Sequence, residues 1–121
     1  MNQVMFVGRI VRPIELKNLS DNSRVCNNVL AVRRRNKSKS GDADFIPFVA
    51  WNQTADLIKR YCQKGQQVAL SGKMRSRSYD DKDGKTRYTI ECIVDEVTLV
   101  STRSKADQDQ EILEEILETI Q

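Results

Sequence analysis

Gly72-Lys73-Met74-Arg75-Ser76-Arg77-Ser78-Tyr79, the turn Asp80-Asp81-Lys82-Asp83-Gly84-Lys85 and the return from Thr86 to Val94 form the stretch on which the reading of this chain turns. A β-strand sends alternate side chains to opposite faces. Lys73, Arg75, Arg77 and Tyr79 therefore share one face, and Met74, Ser76 and Ser78 share the other. Asp83-Gly84 is a strong short hairpin signal, so Gln67 to Tyr79 reads as a strand and Thr86 to Val94 as its antiparallel return. Three cations and one ring in a flat row suit a flexible polyanion carrying flat rings, the chemistry of a single-stranded nucleic acid. The same row also reads as an exposed strand face kept soluble by its charge, and the rest of the chain has to decide.

Working outward, Val4 to Val11 is rich in Val, Met, Phe and Ile and reads as a strand with a bend or bulge at Gly8, ended by Arg12-Pro13. Glu15 to Leu19 extends the sheet, Ser20-Asp21-Asn22-Ser23 turns, and Val25 to Val32 is a second strand. Arg33 to Asp42 is a polar, cationic loop. Phe45 to Trp51 returns to strand character, with Ile46, Phe48 and Ala50 on one side and Phe45, Pro47, Val49 and Trp51 on the other. Pro47 lacks a ladder donor, so this strand is an edge or is irregular there. From Thr54 to Lys64 the period changes. Ala55, Ile58, Tyr61 and Cys62 follow helical spacing, with Asn52 or Thr54 as N-cap and Gly65 as the stop. Tyr61 reads as core, and Val97 to Val100 as a last short strand. The order β-β-β-α-β-β predicts an all-β fold, a five-stranded Greek-key barrel of the oligonucleotide-binding (OB) type with one short helix between strands 3 and 4.

The 121 residues carry a net charge of +3, which hides an asymmetry. All 20 Lys and Arg lie at or before Lys105, against 11 acidic residues there, so the body carries +9; the tail beyond carries six acids and no cation. A basic body points to a polyanionic partner and an acidic end to a separate role. The division expected is a domain over 1–104 and a tail over 105–121. Histidine is absent, which excludes a His-based triad or a His-containing zinc site. Cys26, Cys62 and Cys92 form no C-x-x-C and read as buried thiols of a reducing compartment. With neither a membrane-length apolar run nor a signal-peptide pattern at Met1 to Ile10, the expectation is a cytoplasmic protein without membrane contact.

Four groups carry the chemistry: the row Lys73, Arg75, Arg77 and Tyr79; the return strand with Arg87 and Tyr88, one of which shares the row's face; the loop cations Arg33, Arg34, Arg35, Lys37 and Lys39; and Phe45 with Trp51. Cations track phosphates and aromatic faces stack bases. Each has a plainer reading: a solvated loop for 33–39, barrel core for Phe45, packing on the helix for Trp51. No catalytic set emerges, and no cofactor or metal is expected. Asp80, Asp81 and Asp83 resemble a metal loop only weakly, because the EF-hand spacing and its distal glutamate are missing.

These segments together resemble the bacterial-type single-stranded DNA-binding proteins. Asn2-Gln3-Val4-Met5-Phe6-Val7-Gly8-Arg9-Ile10 is similar to the family's N-K-V-x-L-x-G-R-L, and Pro13-Ile14-Glu15-Leu16-Lys17 to its P-E-L-R. Val29-Leu30-Ala31-Val32 is similar to S-L-A-V, and Asp44 to Trp51 to its D-F/W…V-x-W/F segment. Ala55-Asp56…Tyr61…Lys64-Gly65 resembles its A-E…Y…K-G helix, and Gly72 to Tyr79 its G-x-L-R-T-R-x-W/Y/F. The resemblance runs from Asn2 to about Leu99. It implies an OB fold, a homotetramer with a dimer as the alternative, and single-stranded DNA wrapped over the surface. It places Phe45, Trp51 and Tyr79 at base-stacking positions and Arg9, Lys17, Arg75 and Arg77 at cationic ones, while the position of Lys73 is variable.

Two departures matter. Asn36 stands where many members carry an aromatic, which leaves that loop to bind by charge and makes the complex more salt-sensitive. The tail lacks the family's long Gly/Gln/Pro-rich linker and Pro-Phe tip. Ile112, Leu113, Ile116, Leu117 and Ile120 instead form one apolar helical stripe opposite acidic residues. It reads as a helix for replication or recombination partners, as a segment that self-associates or docks on its own body, or as one that frays. The function expected is a non-enzymatic, sequence-independent binder that coats and protects single-stranded DNA in replication, recombination and repair. The alternatives are an accessory OB-fold module of a primosome or recombination complex and an RNA-directed OB module.

Overall fold

The computed structural model describes residues 1–35, 42–100 and 116–117. Its elements are β1 (Val4–Ile10), β2 (Lys17–Asn18), β3 (Arg24–Arg33), β4 (Ala43–Trp51), α1 (Asn52–Tyr61), β5 (Gln67–Asp80) and β6 (Thr86–Leu99). The sheet order is β1-β5-β6-β4-β3-β2, and β1 also pairs with β3. That extra pairing closes five long strands into a ring, the expected barrel, with the two-residue β2 added outside β3. All pairings are antiparallel except β4 with β6, which run parallel through Phe48↔Cys92 and Val49↔Ile93.

One parity rule fills the barrel. Even-numbered Ile10, Cys26, Leu30, Phe48, Ala50, Val68, Leu70, Cys92 and Val94 point inward, and Ala55, Ile58 and Cys62 of the α1 segment pack against them. Each large aliphatic or aromatic side chain removed from water there contributes about 1.5–3 kcal/mol. Asn28 is a polar member of the interior. Its amide accepts from the Arg12 and Val29 N–H groups and donates to the Arg12 carbonyl, which fixes the chain as it leaves β1. Arg24 on β3 grips both oxygens of Asp56 on α1 at 2.8 and 3.0 Å.

Two glycines mark close approaches, and Gly8 differs from expectation. Gly8 sits in regular register with Val68, without a bulge. A Cβ there would collide with the Ala31 carbonyl, so the residue lets β1 cross close over β3. The irregularity lies elsewhere, where Ser71 pairs with Glu96 but Gly72 with Val94, leaving Asp95 as an extra residue. Gly72 fits here because a Cβ would strike the Ile93 carbonyl. The separate strand expected at Val97 to Val100 is thus the continuation of β6 past a bulge.

The helix also departs. It begins at Asn52, with Trp51 at the N-cap and no side-chain cap bond. Asn52 adopts a positive φ of 51°, a region that among the described non-glycine residues it shares with Asn22 at 67°, and its Oδ1 accepts from the Arg24 N–H instead. Gly65 lies beyond the C-cap Cys62, in a turn whose Gln66 N–H donates to Gln63, and its own N–H donates to the Ile10 carbonyl. Tyr61, expected in the core, is 54% exposed, because Ile58 and Cys62 take the inward positions. Val49, expected outward, is only 5% exposed; it lies where β4 is paired on both flanks, with Asn27 and with Ile93. Pro47 stands one residue outside the β4–β6 pairing, which suits its missing donor. Of Glu15 to Leu19 only Lys17 and Asn18 join the sheet.

Candidate nucleic-acid interface

The registers assemble the outward, odd-numbered side chains into rows. On the hairpin arm, Lys73 faces Ile93, Arg75 faces Glu91, Arg77 faces Thr89 and Tyr79 faces Arg87. Arg87, not Tyr88, is therefore the return-strand residue on the row's face. Ile93 continues the row into β4 at Val49 and β3 at Asn27. A second row runs from Arg9 on β1 through Ala31 to Phe45. A third runs from Lys17 on β2 through Val25 to Trp51. Phe45, Trp51 and Tyr79 are all exposed. Stacking on the helix does not remove Trp51 from solvent, and barrel packing does not remove Phe45. The outer surface of the barrel thus carries Arg9, Lys17, Phe45, Trp51, Lys73, Arg75, Arg77, Tyr79 and Arg87, arranged in these rows.

Their polar partners differ. Among the described residues, Lys73 and Arg75 have no acidic group within ion-pair distance. Arg77 Nε donates to Glu91 Oε1 at 3.0 Å, and its guanidinium carbon lies 5.7 Å from the Tyr79 ring centre. Arg87 Nε donates to Asp81 Oδ2 at 2.9 Å, and Arg9 Nη1 to the Gly65 carbonyl at 3.0 Å. Arg33 faces Ala43 on the outward side, whereas Arg34 has the opposite parity and donates to Asp44 at 2.9 Å. Arg35 is exposed at the start of the loop; Lys37, Lys39 and Asn36 lie outside the described residues.

Asp81 closes the hairpin rather than offering a metal loop. Its Oδ1 accepts from the Asp83 and Lys85 N–H groups, and its Oδ2 from Arg87. The Arg87 side chain, then these N–H groups, hold its carboxyl below the usual range. No trio of His, Cys, Asp or Glu is placed to hold a metal among the described residues. Burial raises all three thiols, Cys62 to about 11, so they stay protonated and unreactive near neutrality.

Sequence reasoning passed over Glu91, an acid in the middle of the basic face and only 8% exposed. It also passed over a reverse face on the arm, where Tyr88, 81% exposed, and Ile90 stand opposite Ser78 and Ser76. Met5 and Val7 on the outside of β1 form another exposed apolar patch, beside Ala69 and Ser71. Of the tail stripe, Ile116 and Leu117 are helical and exposed, and Ile112, Leu113 and Ile120 lie outside the described residues. Among the described residues no helix is long and apolar enough to cross a membrane.

The family model described as "Single-strand binding protein family" matches residues 1–100. Over 110 residues the chain is 36% identical to "Single-stranded DNA-binding protein 1" of Clostridium acetobutylicum, covering 88% of this chain and 99% of that one. It is 40% identical over 99 residues to "Single-stranded DNA-binding protein 2" of the same organism, covering 80% and 74%. It is 36% identical over 106 residues to "Single-stranded DNA-binding protein B" of Bacillus subtilis, covering 86% and 94%. A match across the whole barrel, including every strand that carries the outward rows, makes this chain a member of the single-strand binding protein family.

Proposed function

We propose that this protein binds single-stranded DNA with little sequence preference, coating and protecting it during replication, recombination and repair, and that it does so without catalysis. The observation that carries the reading is the outward placement of Phe45, Trp51 and Tyr79 in rows with Arg9, Lys17 and Arg87, beside Lys73 and Arg75 on the arm. Rings that stack on any base and cations that follow phosphates need no sequence-specific hydrogen bonds. Arg33, Arg35 and Lys37 would extend the cationic path from the barrel end where the arm also projects. The binding unit is residues 1–104, and 105–121 is a separate acidic tail for protein partners. Self-association, with a homotetramer as the expected state, is supported by the exposed Met5 and Val7. A cytoplasmic setting agrees with three free, buried cysteines.

The test is titration with poly-dT while following Trp51 fluorescence at two salt concentrations, beside a mobility assay. Quenching that weakens steeply with salt is the expected result. Absence of quenching at both concentrations would sink stacking at Trp51, and absence of any shifted complex would sink the function. Competition between DNA and RNA oligomers of one sequence distinguishes the RNA-directed reading.

A further inference from the structure

We propose that Glu91 is a positioning residue that holds the Arg77 guanidinium against the Tyr79 ring, so that Arg77 serves as part of a flat stacking platform and not as a phosphate contact. The proposal rests on the single-stranded DNA reading and assigns a division of labour within it.

Arg75 and Arg77 look equivalent as sequence, two cations on one strand face. The structure separates them. Glu91 is the direct cross-strand neighbour of Arg75, yet its carboxylate bonds to Arg77, which lies diagonally across the ladder. Glu91 is nearly buried, whereas the Arg77 side chain is 55% exposed. A carboxylate so shielded from water interacts strongly with the cation it faces, and the pair presents little net charge to a passing phosphate. Arg77 is held at Nε, the inner nitrogen, and its guanidinium carbon lies 5.7 Å from the Tyr79 ring centre, within cation–π range. A planar guanidinium held over the ring adds a second flat surface on which a base can stack; a lysine ammonium has no such plane. Arg75, unpaired and two residues along the strand, keeps its full charge for the backbone.

The experiment measures dT-oligomer affinity of the full chain over a series of salt concentrations, with melting curves for each variant. Each phosphate neutralised on a single strand contributes about 0.7 to the slope of log affinity against log salt. Arg75→Ala should flatten the slope by about that amount. Glu91→Gln keeps an acceptor for Nε but removes the neutralising charge, and should steepen the slope by about 0.7 while tightening binding at low salt. Arg77→Lys keeps the charge and loses the plane, and should weaken binding about three- to fivefold with an unchanged slope. An unchanged slope in Glu91→Gln, or wild-type affinity in Arg77→Lys, would overturn the proposal. Arg77 is more than half exposed, so the Arg77→Lys arm decides even where Glu91→Gln fails to fold. A wild-type protein that binds no oligomer, by contrast, overturns the DNA reading on which the proposal stands.

Discussion

Gly72 shows how a single missing side chain sets both fold and site. It pairs with Val94 beside the extra residue Asp95, at the root of the arm that carries the basic row. A Cβ added there would meet the Ile93 and Val94 backbone, which cannot swing aside as a side chain would. Gly72→Ala should therefore lower stability by about 2 kcal/mol or more, read as a shift of the denaturant midpoint, and should disturb the arm's amide resonances before those of α1. Sequence alone exposed this residue only as part of a motif, because the reason for the glycine lies on another strand. Glu91 was hidden for a similar reason. The turn alone left open whether Arg87 or Tyr88 joins the row, so it took the register of Asp80 with Thr86 to set Glu91 opposite Arg75, and the side-chain contact to show its diagonal choice of Arg77.

The hairpin arm is the element in which sequence and structure agree most closely, since Asp-Gly marks the turn and strict alternation marks both faces. Its closure depends on one carboxylate. Asp81 has its pKa lowered from 3.8, chiefly by Arg87 and then by the Lys85 N–H. A depressed folded-state pKa contributes stability above the unfolded value and loses it as pH falls through the folded one. The arm tip should hold unchanged down to about pH 4 and loosen below it, seen as faster local amide exchange around 81–87 while the barrel core stays protected. Asp81→Asn should show a loosened tip at neutral pH and little further change on acidification. Elements governed by distant partners were less legible. The start of α1 was misplaced because Asn52 bonds to Arg24 on β3 in place of capping its own helix, and Tyr61 followed helical spacing while facing solvent.

At the scale of the whole molecule, charge is segregated along the chain. The segment up to Lys105 holds every cation and the remainder holds six acids. On the proposed function, six acids without a cation would compete with DNA for the basic face, most strongly at low salt. Removal of residues 107–121 should leave affinity for single-stranded DNA unchanged or raise it, with the larger effect at low salt in the same titration. A clear loss would show instead that the tail builds the fold or the oligomer. The barrel topology was legible from the order of elements, whereas its closure through β1–β3 was not, since it joins segments with no shared pattern.

The bulge at Asp95 has a meaning beyond its local geometry. Before it, β6 sends Cys92 and Val94 to the core; after it, the inward position passes to Val97, opposite Leu70. One inserted residue therefore acts as a phase shifter between the barrel and the arm. Were the strand to run through Asp95 in regular alternation instead, with Val97 still inside, Arg87 and Glu91 would turn inward, and Tyr88 and Ile90 would stand beside Lys73, Arg75 and Arg77. The polarity of the arm's basic face is thus encoded as an odd or even count, at a position that adds neither cation nor ring to that face.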